Sequence, residues 1–425
     1  MMQQAYSAIP THDLPLGHLE QCQICGGRDL AEVLDLGHQP PCDSLLTAAQ
    51  LNAAEKIYPL RLLRCRDCGL AQIDYAVPPE ILFHPDYPYR SGITPTLVHN
   101  LQGTAATIVD TYQLPPNSLC VDIGSNDGTL LKGFRAKGMR LLGIEATNIA
   151  ALANADGIET IQAFFSESVA RGIIVSHGQA RAITATNMFA HVPNLGDLLR
   201  GVSTLLAEGG VFVTESHYLP DLIATAQYDS IYHEHLKYYA LKPLIRLFSY
   251  YGFSVSDAEK ISNYGGSIRV YAVKGKAAPS RRLSEFLAAE VAAGLYGEDA
   301  FAGFADLVKR SRLDLQKFLI EQALAGRPAP GIGCPGRSST LLNYCNIDPG
   351  LMPYIAEQSS SLKLGLFLPG KHIPIVDEAR LFAEQPDYAV MLSWHYAAPI
   401  IRNLRQKGLR SKIVVPLPRF HFVTD

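Results

Sequence analysis

The sequence predicts an α/β protein of two successive units behind a small metal-binding module, on three observations. From Ser118 to about Val273, short apolar runs alternate with segments of helical periodicity. The same alternation starts again at Ala329 and continues to the end of the chain. Four of the eight cysteines form two C-x-x-C pairs within the first 68 residues.

The elements follow in order. Residues 1–78 are loop-rich around the cysteine pairs, with a strand-like run at Tyr58–Arg64. Residues 79–275 open on Tyr87-Pro88-Tyr89 and a helical stretch near Thr94–Tyr112. They then give the buried strand runs Leu119–Ile123, Leu141–Ile144, Ala182–Ala185 and Val211–Thr214, closed by Ile268–Val273. Residues 276–328 have helical spacing, broken near Gly294–Gly297. Residues 329–425 return to α/β pattern through Pro330–Cys334, Leu362–Phe367, Pro369–Ile375, Tyr388–Leu392 and Lys412–Val415.

At 425 residues the chain exceeds one ordinary core, and 48% hydrophobic with 18% charged residues suits a folded protein. A net charge of −3 and a pI near 6.5 supply no basic field for nucleic acid. No apolar run reaches the ~18–20 residues of a membrane span. Met1–Glu20 lacks the basic start and apolar stretch of a signal peptide, so a cytoplasmic location is expected. Nothing in the pattern points to a particular oligomeric state.

Cys22-Gln23-Ile24-Cys25-Gly26 and Cys65-Arg66-Asp67-Cys68-Gly69 are two knuckles, each turned by a glycine. Four thiolates fill a tetrahedron, giving a closed structural zinc site on Cys22, Cys25, Cys65 and Cys68. Four reduced core cysteines would be the plain alternative.

In Leu119-Cys120-Val121-Asp122-Ile123-Gly124-Ser125-Asn126-Asp127-Gly128 a buried strand runs into a glycine turn ahead of a helix. Twenty-one residues past Gly124 the next strand ends in Glu145, placed to accept the two hydroxyls of a ribose. The acids Asp122 and Asp127 would repel a pyrophosphate but suit the ammonium and sulfonium of S-adenosylmethionine. Asp122, Gly124, Ser125, Asn126, Asp127 and Glu145 are therefore expected to bind that cofactor. Phe164 follows a third strand as a wall for adenine. Asn187 and His191 follow the fourth, at the carboxyl end where such folds bind ligands.

Tyr228 to Tyr239 holds His233, Glu234, His235 and four tyrosines. On a helix the two histidines would sit roughly 200° apart and could not share an ion. The better reading is a histidine base near neutral pH, an adjacent carboxylate to orient it, and phenols to stabilise developing negative charge. A hydrogen-bonded aromatic packing cluster is the alternative.

These motifs, in this order, resemble the sugar C-methyltransferases of deoxysugar biosynthesis. The resemblance also takes in Leu34–Pro40, Pro59–Leu62, Tyr87–Gly92, Gly265–Arg269, Thr340–Tyr344 and Leu368–Ile375. It implies a class I (Rossmann-like) methyltransferase domain, flanked by an N-terminal zinc module and a C-terminal Rossmann-like domain that helps hold the nucleotide end of the substrate. It also implies methylation of the carbon next to the ketone of a nucleotide-linked keto-deoxysugar. Carried onto this chain, His235 is the base, Glu234 orients it, and Tyr232 with Tyr87 or Tyr89 contacts the sugar or its enolate. The chain departs at Tyr264, where histidine is common, at His395, where asparagine is usual, and around Glu357, where an aspartate usually precedes a lysine.

Three rivals stand beside this reading. O-methylation would need a base but leave the phenols surplus. A non-catalytic nucleotide-sugar binder would not need both the glycine turn and Glu145. A dehydrogenase would rest on Gly333-x-x-Gly336, which is expected to lack both the full glycine fingerprint and an acid in register.

Overall fold

The computed structural model describes residues 12–83, 91–93 and 95–423. Strands β1 (Leu30–Gln39), β2 (Tyr58–Cys65) and β3 (Ala71–Ile73) form an antiparallel sheet. Both cysteine knuckles close the same way: Gly26 and Gly69 donate to the carbonyls of Cys22 and Cys65 at 3.0 Å, with φ of 71° and 83°. A side chain at Gly69 would also run into the ring of Tyr296. The fourth strand of this sheet comes from far along the chain: Lys237–Tyr238 pairs with Gln72 and Ala71 on the edge of β3. The zinc module thus holds the segment that carries the two histidines.

Next come β4 (Leu119–Ile123), β5 (Arg140–Glu145), β6 (Thr160–Gln162), β7 (Ala180–Thr186), β8 (Leu206–His217), β9 (Phe253–Ile261) and β10 (Ser267–Lys274). They form one sheet in the order β9-β10-β8-β7-β4-β5-β6, in which only β10 runs against the rest. Alternation fixes its two faces. Leu119, Val121 and Ile123 enter one apolar cluster with Ile144 and Phe189, while Cys120 enters the other with Leu131 and Phe134. The sheet's order reverses at β4, so a crevice opens at the carboxyl ends of β4 and β7.

Helices Arg281–Ala292 and Asp299–Leu324 lead to the C-terminal unit, and the break between them falls where the glycines predict. The third sheet, in the order β13-β12-β11-β14-β15-β16, comprises β11 (Gly331–Ile332), β12 (Ile355–Glu357), β13 (Ile375–Asp377), β14 (Tyr388–Met391), β15 (Lys412–Val415) and β16 (His421–Phe422). Residues 362–365 and 369–371 are turns rather than strands, Phe367 makes only isolated bridges to Leu46 and Pro374, and the second strand is Ile355–Glu357. Gly331, Gly333 and Gly336 complete a G-x-G-x-x-G turn, which the Gly333–Gly336 pair alone understates. The acid in register is Glu357, whose carboxylate accepts from the Cys334 amide at 2.5 Å. Glu145 accepts the Asn126 amide at 2.9 Å in the same way, so the two units repeat one device.

One apolar core joins the parts. It runs from Leu34, Leu60 and Leu62 through Tyr228 and Ile231 to Phe304, Leu341, Ile355 and Val390. Among the described residues no helix is long and apolar enough to cross a membrane.

Candidate active site

Four sulfurs, of Cys22, Cys25, Cys65 and Cys68, lie within 4.8 Å of one another, with Cys22–Cys68 and Cys25–Cys65 at 3.5 Å. A tetrahedron of ~2.3 Å zinc–sulfur bonds spaces its sulfurs by about 3.8 Å, so the four fit a zinc ion with no position left open. A second group, Cys42, Asp43 and Glu234, has ligand chemistry too. There the Lys363 ammonium already stands 3.7 Å from Asp43.

A cavity of about 750 Å³ fills the crevice of the central sheet and reaches both neighbouring units. One end is the glycine turn. Gly124 holds φ of 71°, and a β-carbon there would come 2.9 Å from Met188. Asn126, at φ of 50°, accepts the Ser91 amide at 2.8 Å. Glu145 braces the turn through Asn126, while its other oxygen accepts from the Thr147 amide and hydroxyl at 2.9 and 2.8 Å. The Ser125 and Ser216 hydroxyls are buried against this cavity without partners among the described residues, as unmet ligand contacts would be. Asp122 bonds Thr184 at 2.6 Å, and burial pushes its carboxyl up to about 7, with Glu145 adding repulsion. A cationic ligand would relieve that strain on the charged form.

Asp127 departs from expectation. It is absent from the cavity wall and accepts instead from the Thr129 hydroxyl at 2.6 Å and the Gly92 amide at 2.8 Å, fastening the helix start. Phe164 does line the cavity, just past the end of β6 and 56% exposed. Asn187, at φ of 57°, donates its amide to Glu215 and also lines it.

The far end of the cavity is a chain of imidazoles. His191, stacked on Phe83 at 5.8 Å, lies 4.9 Å from the His235 ring, and His217 lies 4.8 Å from it on the other side. Tyr232 packs on His235 at 4.1 Å. Burial pushes His191 down to about 4 and His217 to about 3; His235 falls well below the usual histidine range through burial and its two neighbours. All three rings are neutral at pH 7. His235 Nδ1 lies 2.8 Å from the Ser230 carbonyl and must donate to it, which leaves Nε2 as the basic nitrogen. Ser230, not Glu234, therefore orients the ring. Glu234 lines the cavity and accepts from the Cys42 thiol at 3.4 Å. His233 turns away to the Pro59 carbonyl at 3.1 Å and ties the segment to the zinc module. Tyr87 and Tyr89 lie outside the described residues.

The remaining wall comes from elsewhere in the chain: Asp43 from the zinc module, and Gly336, Arg337 and Lys363 from the C-terminal unit. A β-carbon at Gly336 would come 2.9 Å from Asp43, so that carboxylate occupies the start of the C-terminal helix, where a dinucleotide's pyrophosphate would sit. Sequence reasoning missed His217, Arg337, Lys363 and Asp43. The first two had local signals, the end of the fifth parallel strand and the residue after a glycine turn. Lys363 and Asp43 had none.

A parallel sheet with one reversed strand, and an acid on its second strand gripping the glycine turn, define a class I S-adenosylmethionine-dependent methyltransferase. Family models match along the chain: a proposed zinc-binding domain at residues 22–83, a methyltransferase domain at 97–258 and a C-methyltransferase C-terminal domain at 262–418. C-methyltransferase NovU of Streptomyces niveus is 33% identical over 407 residues, covering 94% of this chain and 96% of that protein. The chain belongs to this C-methyltransferase family. Solved structures similar to part of it include magnesium protoporphyrin IX methyltransferase ChlM of Synechocystis PCC 6803 with bound SAM, at 12% identity over 42% of this chain and 79% of that one, TM-score 0.32. Another is an S-adenosylmethionine-dependent methyltransferase from Clostridium acetobutylicum ATCC 824, at 12% over 42% and 92%, TM-score 0.33.

Proposed function

We propose that this C-methyltransferase acts on the carbon next to the ketone of a nucleotide-linked keto-deoxysugar, with His235 as the base. The observation that carries the reading is the His235 ring itself. It is neutral, held through Nδ1 by the Ser230 carbonyl, and lines the cavity that begins at the glycine turn. Nε2 takes the proton from the ring carbon, and the carbonyl electrons move to oxygen. The cofactor supplies the methyl group, which the enolate carbon receives. Asp122, Ser125, Asn126, Glu145, Phe164 and Asn187 bind and orient that cofactor, and Tyr232 with Tyr87 or Tyr89 lies on the sugar side. Zinc on the four cysteines is structural. We place the domain borders at residues 1–78, 79–275, 276–328 and 329–425.

The test is turnover with S-adenosylmethionine against a panel of nucleoside-diphosphate keto-deoxysugars, with the new methyl located by NMR. A methyl on carbon, and a kcat roughly 10²–10⁴-fold lower in His235→Asn with unchanged S-adenosylhomocysteine affinity, is the expected result. A methyl on oxygen would move the protein to O-transfer. Tight binding of the panel without turnover would make it a binding module.

A further inference from the structure

Arg337 is the first residue of the helix that follows the C-terminal glycine turn, and its side chain is only 10% exposed. A buried guanidinium normally meets a carboxylate in hydrogen-bond range. Here the nearest carboxylate among the described residues, Asp229, stands 3.8 Å away, and its facing oxygen Oδ1 accepts no hydrogen bond from them. The guanidinium instead touches the His395 ring, reaches His217 Nε2 at 3.5 Å, and comes within 3.5 Å of the Tyr264 carbonyl. It lines the same cavity as His235. A full positive charge is therefore kept beside the catalytic base, surrounded by neutral rings and weakly compensated.

That placement works against the base at rest, since a cation beside His235 and His217 opposes their protonation. It becomes favourable once a negative charge forms nearby. Removing a proton next to a ketone puts that charge on the carbonyl oxygen, two bonds from the carbon that gave up the proton. The phenols near the base are poor substitutes. Burial drives the Tyr232 hydroxyl far above the usual tyrosine range, so it holds its proton and offers only a neutral hydrogen bond. The other cation that the described residues give the wall, Lys363, is engaged by Asp43 and by the Cys334 carbonyl at 2.8 Å.

We propose that Arg337, supplied by the C-terminal unit, is a catalytic residue that stabilises the enolate oxygen formed when His235 deprotonates the substrate. The inference rests on the enolate reading given above. The electron balance is simple. The C–H pair becomes the carbon–carbon double bond, the carbonyl pair goes to oxygen opposite Arg337, and the proton goes to His235. When the carbon takes the methyl, the pair returns to the carbonyl and Arg337 is again beside a neutral oxygen. Trp394, His395 and Asp229 position the guanidinium beforehand: the indole donates to Asp229 at 2.8 Å, and Asp229 and the His395 ring both approach the guanidinium at Nη1. Such preorganisation is what makes a fixed charge effective in a water-poor site.

The experiment follows proton exchange without methyl transfer. Protein loaded with S-adenosylhomocysteine is placed in deuterium oxide with the nucleotide keto-sugar that it turns over, and deuterium at the ring carbon is read by mass spectrometry. Wild type is expected to exchange. Arg337→Gln should exchange roughly 10²–10³-fold more slowly, with substrate KM changed by less than a few-fold, and Arg337→Lys should recover part of the loss. Melting temperature and S-adenosylhomocysteine affinity check that each variant is folded, and Arg337→Lys carries the test if Arg337→Gln is not. Exchange at the wild-type rate with a strongly raised KM would overturn the proposal and give Arg337 to the substrate's phosphates. A wild type that methylates but never exchanges would remove the enolate reading itself, and this role of Arg337 with it.

Discussion

Burial decides the charge of the groups that matter most in this cavity. Asp122, raised to about 7, is partly protonated at neutral pH in the free protein, and a cationic ligand binds its ionised form better. Affinity for S-adenosylmethionine should therefore fall as pH drops below about 7, with proton release on binding, and calorimetry in two buffers of different ionisation enthalpy measures both. No pH dependence and no proton release would mean that Asp122 does not face the ligand's charge. The buried histidines act on stability with the opposite chemistry. His191 and His233 at about 4 and His217 at about 3 stay neutral when folded but take protons at their ordinary 6.5 when unfolded. Below 6.5 these rings bind more protons in the unfolded chain than in the folded one, so their contribution to stability is full above 6.5 and declines from there toward 3–4. The melting temperature should fall steadily as pH drops below 6.5. A flat profile to pH 4.5 would contradict the burial of these rings.

The decisive element is the β2–β3 hairpin of the zinc module. Its knuckle carries Cys65 and Cys68, and its far edge pairs with Lys237–Tyr238, two residues after His235. The other knuckle reinforces this: Gln23, between Cys22 and Cys25, donates to the carbonyls of Ile73 and Leu236 at 3.2 and 3.1 Å. A structural ion would thus hold the base in place without touching substrate. Purified protein should contain one zinc per chain. Cys65→Ser or chelation should lower turnover at least tenfold while S-adenosylhomocysteine affinity changes only a few-fold, because the glycine turn belongs to a different sheet. Equal losses in both would point to general unfolding. The glycine turn has its own test. Gly124→Ala forces a β-carbon into a left-handed backbone and against Met188, a cost of about 1–2 kcal/mol. Cofactor affinity should drop roughly tenfold.

Across the whole molecule, one cavity draws walls from three parts of the chain, and one apolar core runs beneath them. Trp394, the only tryptophan, lies where the C-terminal unit meets the central segment through Asp229. Because Tyr228 and Ile231 share a core with Leu341 and Val390, tryptophan emission and far-ultraviolet dichroism should change together in denaturant. An earlier tryptophan transition would show that the C-terminal unit comes away alone and takes Arg337 with it.

Much of this was legible from local pattern. The buried strand runs, the glycine turn and the acid at the end of the second strand repeat at fixed spacing because backbone geometry sets strand period and turn chemistry. The two cysteine knuckles are equally local, so the metal cluster could be read without coordinates. Long-range contacts were not. Nothing near Glu234 says that Ser230 rather than this carboxylate holds His235, since that depends on how a turn folds back. Asp127 looks identical in sequence to a cofactor ligand until Gly92 is seen to take it. Glu357 required the correct second strand, which is only three residues long and has little periodicity. Arg337 and Asp43 gain their meaning only when separate units close on one cavity, bringing together side chains some 300 residues apart. The sequence by itself determined the architecture, the four-cysteine cluster and the glycine turn, because local backbone preferences and spacing specify them. Tertiary structure alone decided which charged and neutral side chains line the cavity, because burial and the docking of distant segments set both their position and their protonation.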